Sequence, residues 1–310
     1  MNKFNWKGHG SMLVANSIWG LMSPIAKIVM AGGIVTPLLL SDLRIFGAMV
    51  LFWIVSLFCK REHVSSRDMV KLFGASMLAI VFNQVSFIFG VGLTSPADAS
   101  IITTSMPLWA MLLAAIFLKE PVTGKKVLGI AFGAGGALLL IIGSNHGTVS
   151  EAGSDTKIWG DLLVLTAQLS YALYIVLFKN FVTRYSLITI MKWMFTYAFI
   201  CTLPFSYDDL IATDWPALDI NAILGILFVV VCATFVSYML IVVGQKSLRP
   251  TVAGMYNYVQ PIVSCIVTIY IGLDTFSVTK GLAVILIFGG VYLVTASKSR
   301  ADIEAAAKTE

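Results

Sequence analysis

Two stretches of equal length decide the fold: Pro96–Gly136, PADASIITTSMPLWAMLLAAIFLKEPVTGKKVLGIAFGAGG, and Pro250–Gly290, PTVAGMYNYVQPIVSCIVTIYIGLDTFSVTKGLAVILIFGG. At a shift of 154, Pro96 and Pro107 fall on Pro250 and Pro261, Glu120 on Asp274, Lys126 on Lys280, and Gly135-Gly136 on Gly289-Gly290. Each stretch reads as a proline-led apolar run, an acidic turn, and a second apolar run with paired glycines. The match extends outward. Ala79 falls on Ala233 at the same shift, Asn16 and Trp19 fall on Gln168 and Tyr171 at 152, and Arg44 falls on Lys192 at 148. Different loop lengths account for the changing shift, so the chain is an internal repeat.

The runs are long enough to cross a bilayer. Of 310 residues, 58% are apolar and 12% charged, with a mean hydropathy of +0.89. A soluble domain carries about 25% charged residues, so a soluble enzyme is excluded. Reading from breaker to breaker predicts ten helices near 9–30, 37–59, 69–91, 97–118, 125–143, 158–179, 186–206, 219–244, 251–272 and 276–297. Each approaches the ~20 residues needed to span hydrocarbon. The expected fold is an all-α integral membrane protein of ten transmembrane helices. Residues 1–146 form one five-helix repeat, 147–298 the second, and 299–310 a tail. Five is odd, so the second repeat enters the membrane inverted, and the two halves can exchange conformations, which is the basis of alternating access.

Charge sets the orientation. With the N-terminus inside, 16 of the 21 basic residues face the cytoplasm, while Asp208, Asp209 and Asp214 lie opposite. Both termini are therefore expected in the cytoplasm. The net charge of +5 then describes topology, and no nucleic-acid partner is expected. The first span follows MNKFNWK, as a signal peptide would, but it is longer than a signal core and has a repeat partner. The expected location is a cell membrane of the bacterial inner-membrane type, crossed many times, with the protein a monomer or homodimer.

Polar side chains in hydrocarbon are costly and invite a functional reading. Asn16, Trp19 and Ser23 share one face of span 1. Asn83 and Gln84 lie in span 3, and Ser100, Thr103, Thr104 and Pro107 form a stripe in span 4. The second half answers with Gln168 and Tyr171, Ser237 and Tyr238, then Asn257, Tyr258 and Pro261. Facing one another across a pseudo-twofold, these would line a midplane cavity of amides, hydroxyls and aromatic faces suited to a small polar or amphipathic molecule. The alternative for any one of them is hydrogen bonding between helices. Arg44 and Lys192, about 9–12 Å into spans 2 and 7 at 1.5 Å per residue, either attract a substrate carboxylate or snorkel to the interface. Lys27 and Lys179 are expected to anchor helix ends. Pro107 and Pro261 are candidate hinges or static kinks.

Other chemistry has few parts. His9, His63 and His146 are read as solvated or interfacial, and Cys59, Cys201, Cys232 and Cys265 as packing residues. No metal, cofactor or catalytic residue is expected. A receptor or an embedded enzyme is the other class of function. Glu120 and Asp274 precede Thr123 and Ser277, placed to cap spans 5 and 10. The glycines of those spans suit close helix packing, within a monomer or across a dimer.

The segments WGLMSPIAK (19–27), LTSPADAS (93–100), LKEPVT (118–123) and SLRPTVA (247–253) together resemble the EamA type of the drug/metabolite transporter superfamily. That resemblance implies ten helices in an inverted repeat, a cavity surrounded by spans 1, 3, 4, 6, 8 and 9 with 5 and 10 peripheral, and export or exchange of small metabolites, amino acids included. Arg44 matches a family habit of an Arg in span 2. Tyr171-Ala172 departs from the expected Trp-Gly. The superfamily also includes nucleotide-sugar and sugar-phosphate carriers.

Overall fold

The computed structural model describes residues 5–93, 102–143, 154–270 and 278–297. Among them the chain forms only helices, arranged as ten rods. They are α1 (Trp6–Ala31), α2 (Pro37–Leu57), α3 (Ser66–Ser76, Met77–Val85, Ser86–Leu93), α4 (Met106–Leu118), α5 (Gly124–Gly143), α6 (Ser154–Leu177), α7 (Leu187–Ala212), α8 (Ile220–Leu227, Phe228–Val236, Ser237–Ser247), α9 (Pro250–Met255, Tyr256–Tyr258, Val259–Tyr270) and α10 (Val278–Thr295). Among the described residues five stretches are long and apolar enough to cross a membrane: α2, α7, Ser66–Val91, Ile158–Leu177 and Ile220–Ser247. Met106–Leu118 and Gly281–Thr295 are shorter apolar helices.

Local chemistry sets the starts of the rods. The Asn5, Thr36, Ser65, Ser186 and Asp219 side chains accept the orphan N–H groups opening α1, α2, α3, α7 and α8. Thr123 does the same at α5, accepting from the Lys126 N–H at 3.3 Å. Pro37 stands in the first turn of α2, where its missing N–H costs nothing. Gly33, at φ +72°, turns the chain between α1 and α2. The end of α7 lies beyond expectation: the helix continues past residue 206 to Ala212 and carries Pro204 inside it.

Helix packing obeys a two-fold exchange of the halves. α1 lies on α8 as α6 lies on α3, and α1 on α9 as α6 on α4, while α2 pairs with its partner α7 and α5 with α10. The α5/α10 crossing shows the same exchange atom by atom. A Cβ on Gly290 would stand 2.4 Å from the Gly129 carbonyl oxygen, and one on Gly136 would stand 2.6 Å from that of Ala283. At the repeat shift, Gly129 corresponds to Ala283 and Gly136 to Gly290, so the two contacts are images of each other.

α3 and α8 carry π-helical segments of nine residues each, Met77–Val85 and Phe228–Val236. They contain the repeat partners Ala79 and Ala233. π-Helical turns widen the helix and loosen its backbone ladder, and they concentrate at functional sites. α4 and α9 are interrupted at matching places: a turn precedes Met106, and a 3₁₀ turn, Tyr256–Tyr258, divides α9.

Candidate functional site

A cavity of about 130 Å³ lies between the halves. α1 contributes Trp19, Gly20 and Met22, α2 contributes Arg44, and α3 contributes Asn83, Gln84, Phe87 and Val91. Thr103 and Thr104 come from the turn before α4, Gln168 and Tyr171 from α6, Tyr238 from α8, and Asn257, Gln260 and Pro261 from α9. The wall therefore draws on α1, α3, the segment leading into α4, α6, α8 and α9, with one residue from α2; the family resemblance implied spans 1, 3, 4, 6, 8 and 9.

Its centre is an aromatic cross. The Trp19 ring meets Tyr171 and Tyr238 edge-on, with centroids 6.0 and 5.8 Å apart. Trp19 Nε1 donates to the Ala233 carbonyl at 2.9 Å, and Tyr238 Oη donates to the Ala79 carbonyl at 3.2 Å. Each half thus sends an aromatic donor to the equivalent carbonyl in the π-helical segment of the other. Gln84 Nε2 donates to Tyr238 Oη at 2.7 Å. Gln84 and Tyr238 are themselves repeat partners, and residues related by a two-fold touch only near its axis. Gln84 Oε1 and Tyr171 Oη are buried and make no hydrogen bond in the structure.

Among the described residues that line it, Arg44 is the single cation. It is 3% exposed, and Nε donates to Thr234 Oγ1 at 3.1 Å. It does not snorkel, because the π-helical segment of α8 supplies an acceptor beside it.

Of the twelve residues expected to bind substrate, nine line the cavity, Arg44 among them, and three face elsewhere. Asn16 is fully buried behind the wall, donating to the Met12 carbonyl and accepting from Gln260 Nε2 at 3.0 Å; it positions Gln260 rather than facing the cavity. Tyr258 packs into the notch over Gly133, where a Cβ would stand 2.4 Å from the ring. A 3₁₀ turn advances about 120° per residue, so Asn257 and Tyr258 diverge. Lys192 lies 4.8 Å over the Trp53 ring. The opposite half offers it buried, apolar Ile80 in the place where Arg44 finds Thr234, so no acceptor draws it to the cavity. Pro107 is buried in the first turn of α4, where it costs no helical hydrogen bond, and Pro261 stands in the first turn of Val259–Tyr270.

Gln260 is not among the expected residues; its repeat partner is apolar Met106, and its spacing of three from Asn257 is the signal the sequence carries. Apolar Met22, Phe87 and Val91 gave none. His9 corrects the solvated reading: it is 8% exposed, with Nδ1 2.7 Å from Tyr256 Oη. Asp98, Ser100, His146, Asp274 and Ser277 lie outside the described residues, as do the side chains of Ser23, Lys27, Cys265 and Lys280.

Toward the N-terminal end of α1, buried polar groups join α6 to α8. Tyr174 and Gln245 are each 2% exposed and joined by a 3.2 Å hydrogen bond. Lys179 Nζ donates to the Gln245 and Leu248 carbonyls, capping the end of α8. Nearby, Lys126 and Glu120 form a buried ion pair at 2.8 Å, and Thr251 Oγ1 donates to the same carboxylate oxygen at 3.4 Å.

Comparison with known proteins agrees with this architecture. A model of the EamA-like transporter family matches twice, at residues 6–142 and 158–296. An uncharacterized transporter of Bacillus subtilis, YetK, is 20% identical over 97% of this chain and 94% of its own. An uncharacterized transporter of Archaeoglobus fulgidus is 26% identical over 72% of this chain and 75% of its own. A solved crystal structure superposes with a TM-score of 0.76 at 17% identity, covering 93% of this chain and 96% of that one. This is a multi-pass protein of the cell membrane. With the family model matched in both halves around one shared cavity, the chain belongs to the EamA-like transporter family.

Proposed function

We propose that the protein is a secondary transporter, an exporter or exchanger, that moves a small polar or amphipathic metabolite, amino acids among the candidates, by alternating access. In this reading the ten rods are ten spans in two inverted five-helix repeats, with both termini cytoplasmic. The observation that carries it is the central cavity, polar and aromatic and walled by both halves, with the repeat partners Gln84 and Tyr238 meeting at the pseudo-axis. A second arrangement with the halves exchanged is available to the same contacts.

The Tyr174–Gln245 bond and the Lys179 cap close the cytoplasmic path in this state. Reorientation would break them and bend α4 and α9 at the interruptions before Pro107 and within Tyr256–Tyr258. Trp19, Asn83, Gln84, Thr103, Gln168, Tyr171, Tyr238, Asn257 and Arg44 contact substrate. Asn16 supports Gln260 from behind. A cavity of about 130 Å³ with one cation suits a small metabolite better than a nucleotide sugar, whose two phosphates ask for more positive charge.

The test is uptake and counterflow in proteoliposomes across amino acids and related metabolites. Movement of at least one compound, abolished by Q84A, is expected. Failure to move any of them in either direction would overturn the proposal.

A further inference from the structure

We infer that the cavity is an anion site: the transported species carries a carboxylate that serves as the counter-ion of Arg44, and an apolar body that rests on the aromatic cross. This rests on the transporter reading and names its substrate class. A guanidinium has five N–H donors in a planar fork. In Arg44, among the described residues, one is used, by Thr234, and the side chain makes no ion pair.

The buried carboxylates nearest in kind are committed elsewhere. Asp42 accepts from Thr202 at 2.6 Å, and Glu120 is paired with Lys126. Burying a charge is costly unless an opposite charge and hydrogen bonds offset it. A site that leaves a cation 3% exposed with most donors unused, on the wall of a cavity, is organised for an anion that comes and goes.

The rest of the wall fixes what the anion is attached to. Among the described residues lining the cavity none is acidic, so a substrate ammonium would find aromatic faces but no carboxylate. Trp19, Tyr171 and Phe87 offer an apolar bed. Gln84 Oε1, buried and unpartnered, can only accept, so it takes a hydroxyl or N–H from the substrate. The second half has no equivalent cation on the wall, since Lys192 is held over Trp53. The carboxylate therefore binds off the pseudo-axis, on the α2 side.

The experiment uses pairs of probes with one body and opposite charge: butyrate with butylamine, and phenylacetate with phenethylamine, with phenylalanine as the zwitterion. Binding to purified protein in detergent is read by Trp fluorescence and thermal shift. Each carboxylate is expected to bind at least about tenfold more tightly than its amine, the gain of one charge-assisted pair. R44Q should lose that preference and R44K retain part of it. In the unmodified protein, phenylacetate should protect Arg44 from phenylglyoxal, read by mass spectrometry, which keeps the test independent of variant folding. Amines binding as tightly as carboxylates, or Arg44 modified at the same rate with every carboxylate present, would overturn the inference. Transport of a neutral or cationic solute in the same preparation would then leave the transporter reading standing.

Discussion

Replacing Gly290 by alanine should loosen the protein, while replacing its neighbour Gly289 should not. On Gly290 a Cβ would stand 2.4 Å from the Gly129 carbonyl oxygen and 2.7 Å from the Gly133 nitrogen, against an ordinary contact of 3.4 Å or more. Both obstacles are backbone, so α5 and α10 must part by about 1 Å, a gap that forfeits roughly a quarter to a half of each atom-pair attraction. If the crossing holds about as many close pairs as one buried Leu, ~50 at 0.1–0.2 kcal/mol, the gross loss is ~1–5 kcal/mol. Relaxation places the net cost within the ~1–3 kcal/mol typical of overpacking.

At Gly289 and Gly135 a Cβ meets nothing within 4 Å. There alanine should gain ~0.5–1 kcal/mol from reduced backbone freedom. G290A and G136A should therefore melt several degrees below the parent in detergent, and G289A and G135A at or slightly above it. If G289A were the more damaging of the two neighbours, the α5/α10 crossing described above would be wrong, and the opposite face of the glycine stripe would be the packed one.

W19F keeps the aromatic body but leaves the Ala233 carbonyl without its donor, and Y238F does the same to Ala79; each should cost ~1–3 kcal/mol in thermal unfolding. The double variant should depart from additivity because the rings touch, and strict additivity would separate the two bonds. At the loop preceding α3, burial pushes the Glu62 carboxyl up, but the Ser186 N–H, Thr189, the Ser186 hydroxyl and the Lys246 ammonium together bring it below the ordinary carboxylate value. A depressed folded value stabilises above the unfolded pKa and is lost as pH falls through the folded one. E62Q should thus lower the melting temperature slightly at neutral pH and not below about pH 4; an equal effect at both would exclude a role for the charge.

Composition and run length were enough to read a helical membrane protein, because ~20 apolar residues have no other stable home than hydrocarbon. Spacing was enough to pair Pro107 with Pro261, Gln84 with Tyr238 and Ala79 with Ala233. It also brought Trp19, Arg44, Asn83, Thr103, Gln168, Tyr171 and Asn257 into one candidate set. Helix rotation was not readable. A helix apolar nearly all round has no face that its sequence assigns to the core, so Asn16 and Trp19, three residues apart, gave no sign that one would stand behind the wall and the other in it.

The tertiary structure decided those cases through partners distant in sequence. Thr234 draws Arg44 to the cavity, while Ile80 in the equivalent place leaves Lys192 to Trp53. The notch at Gly133 takes Tyr258, and the Gly129 carbonyl makes Gly290 irreplaceable where Gly289 is free. The sequence by itself determined that the chain is built of apolar helices and which of them are related. Contact geometry between rods, a property of pairs, determined which atoms face the cavity.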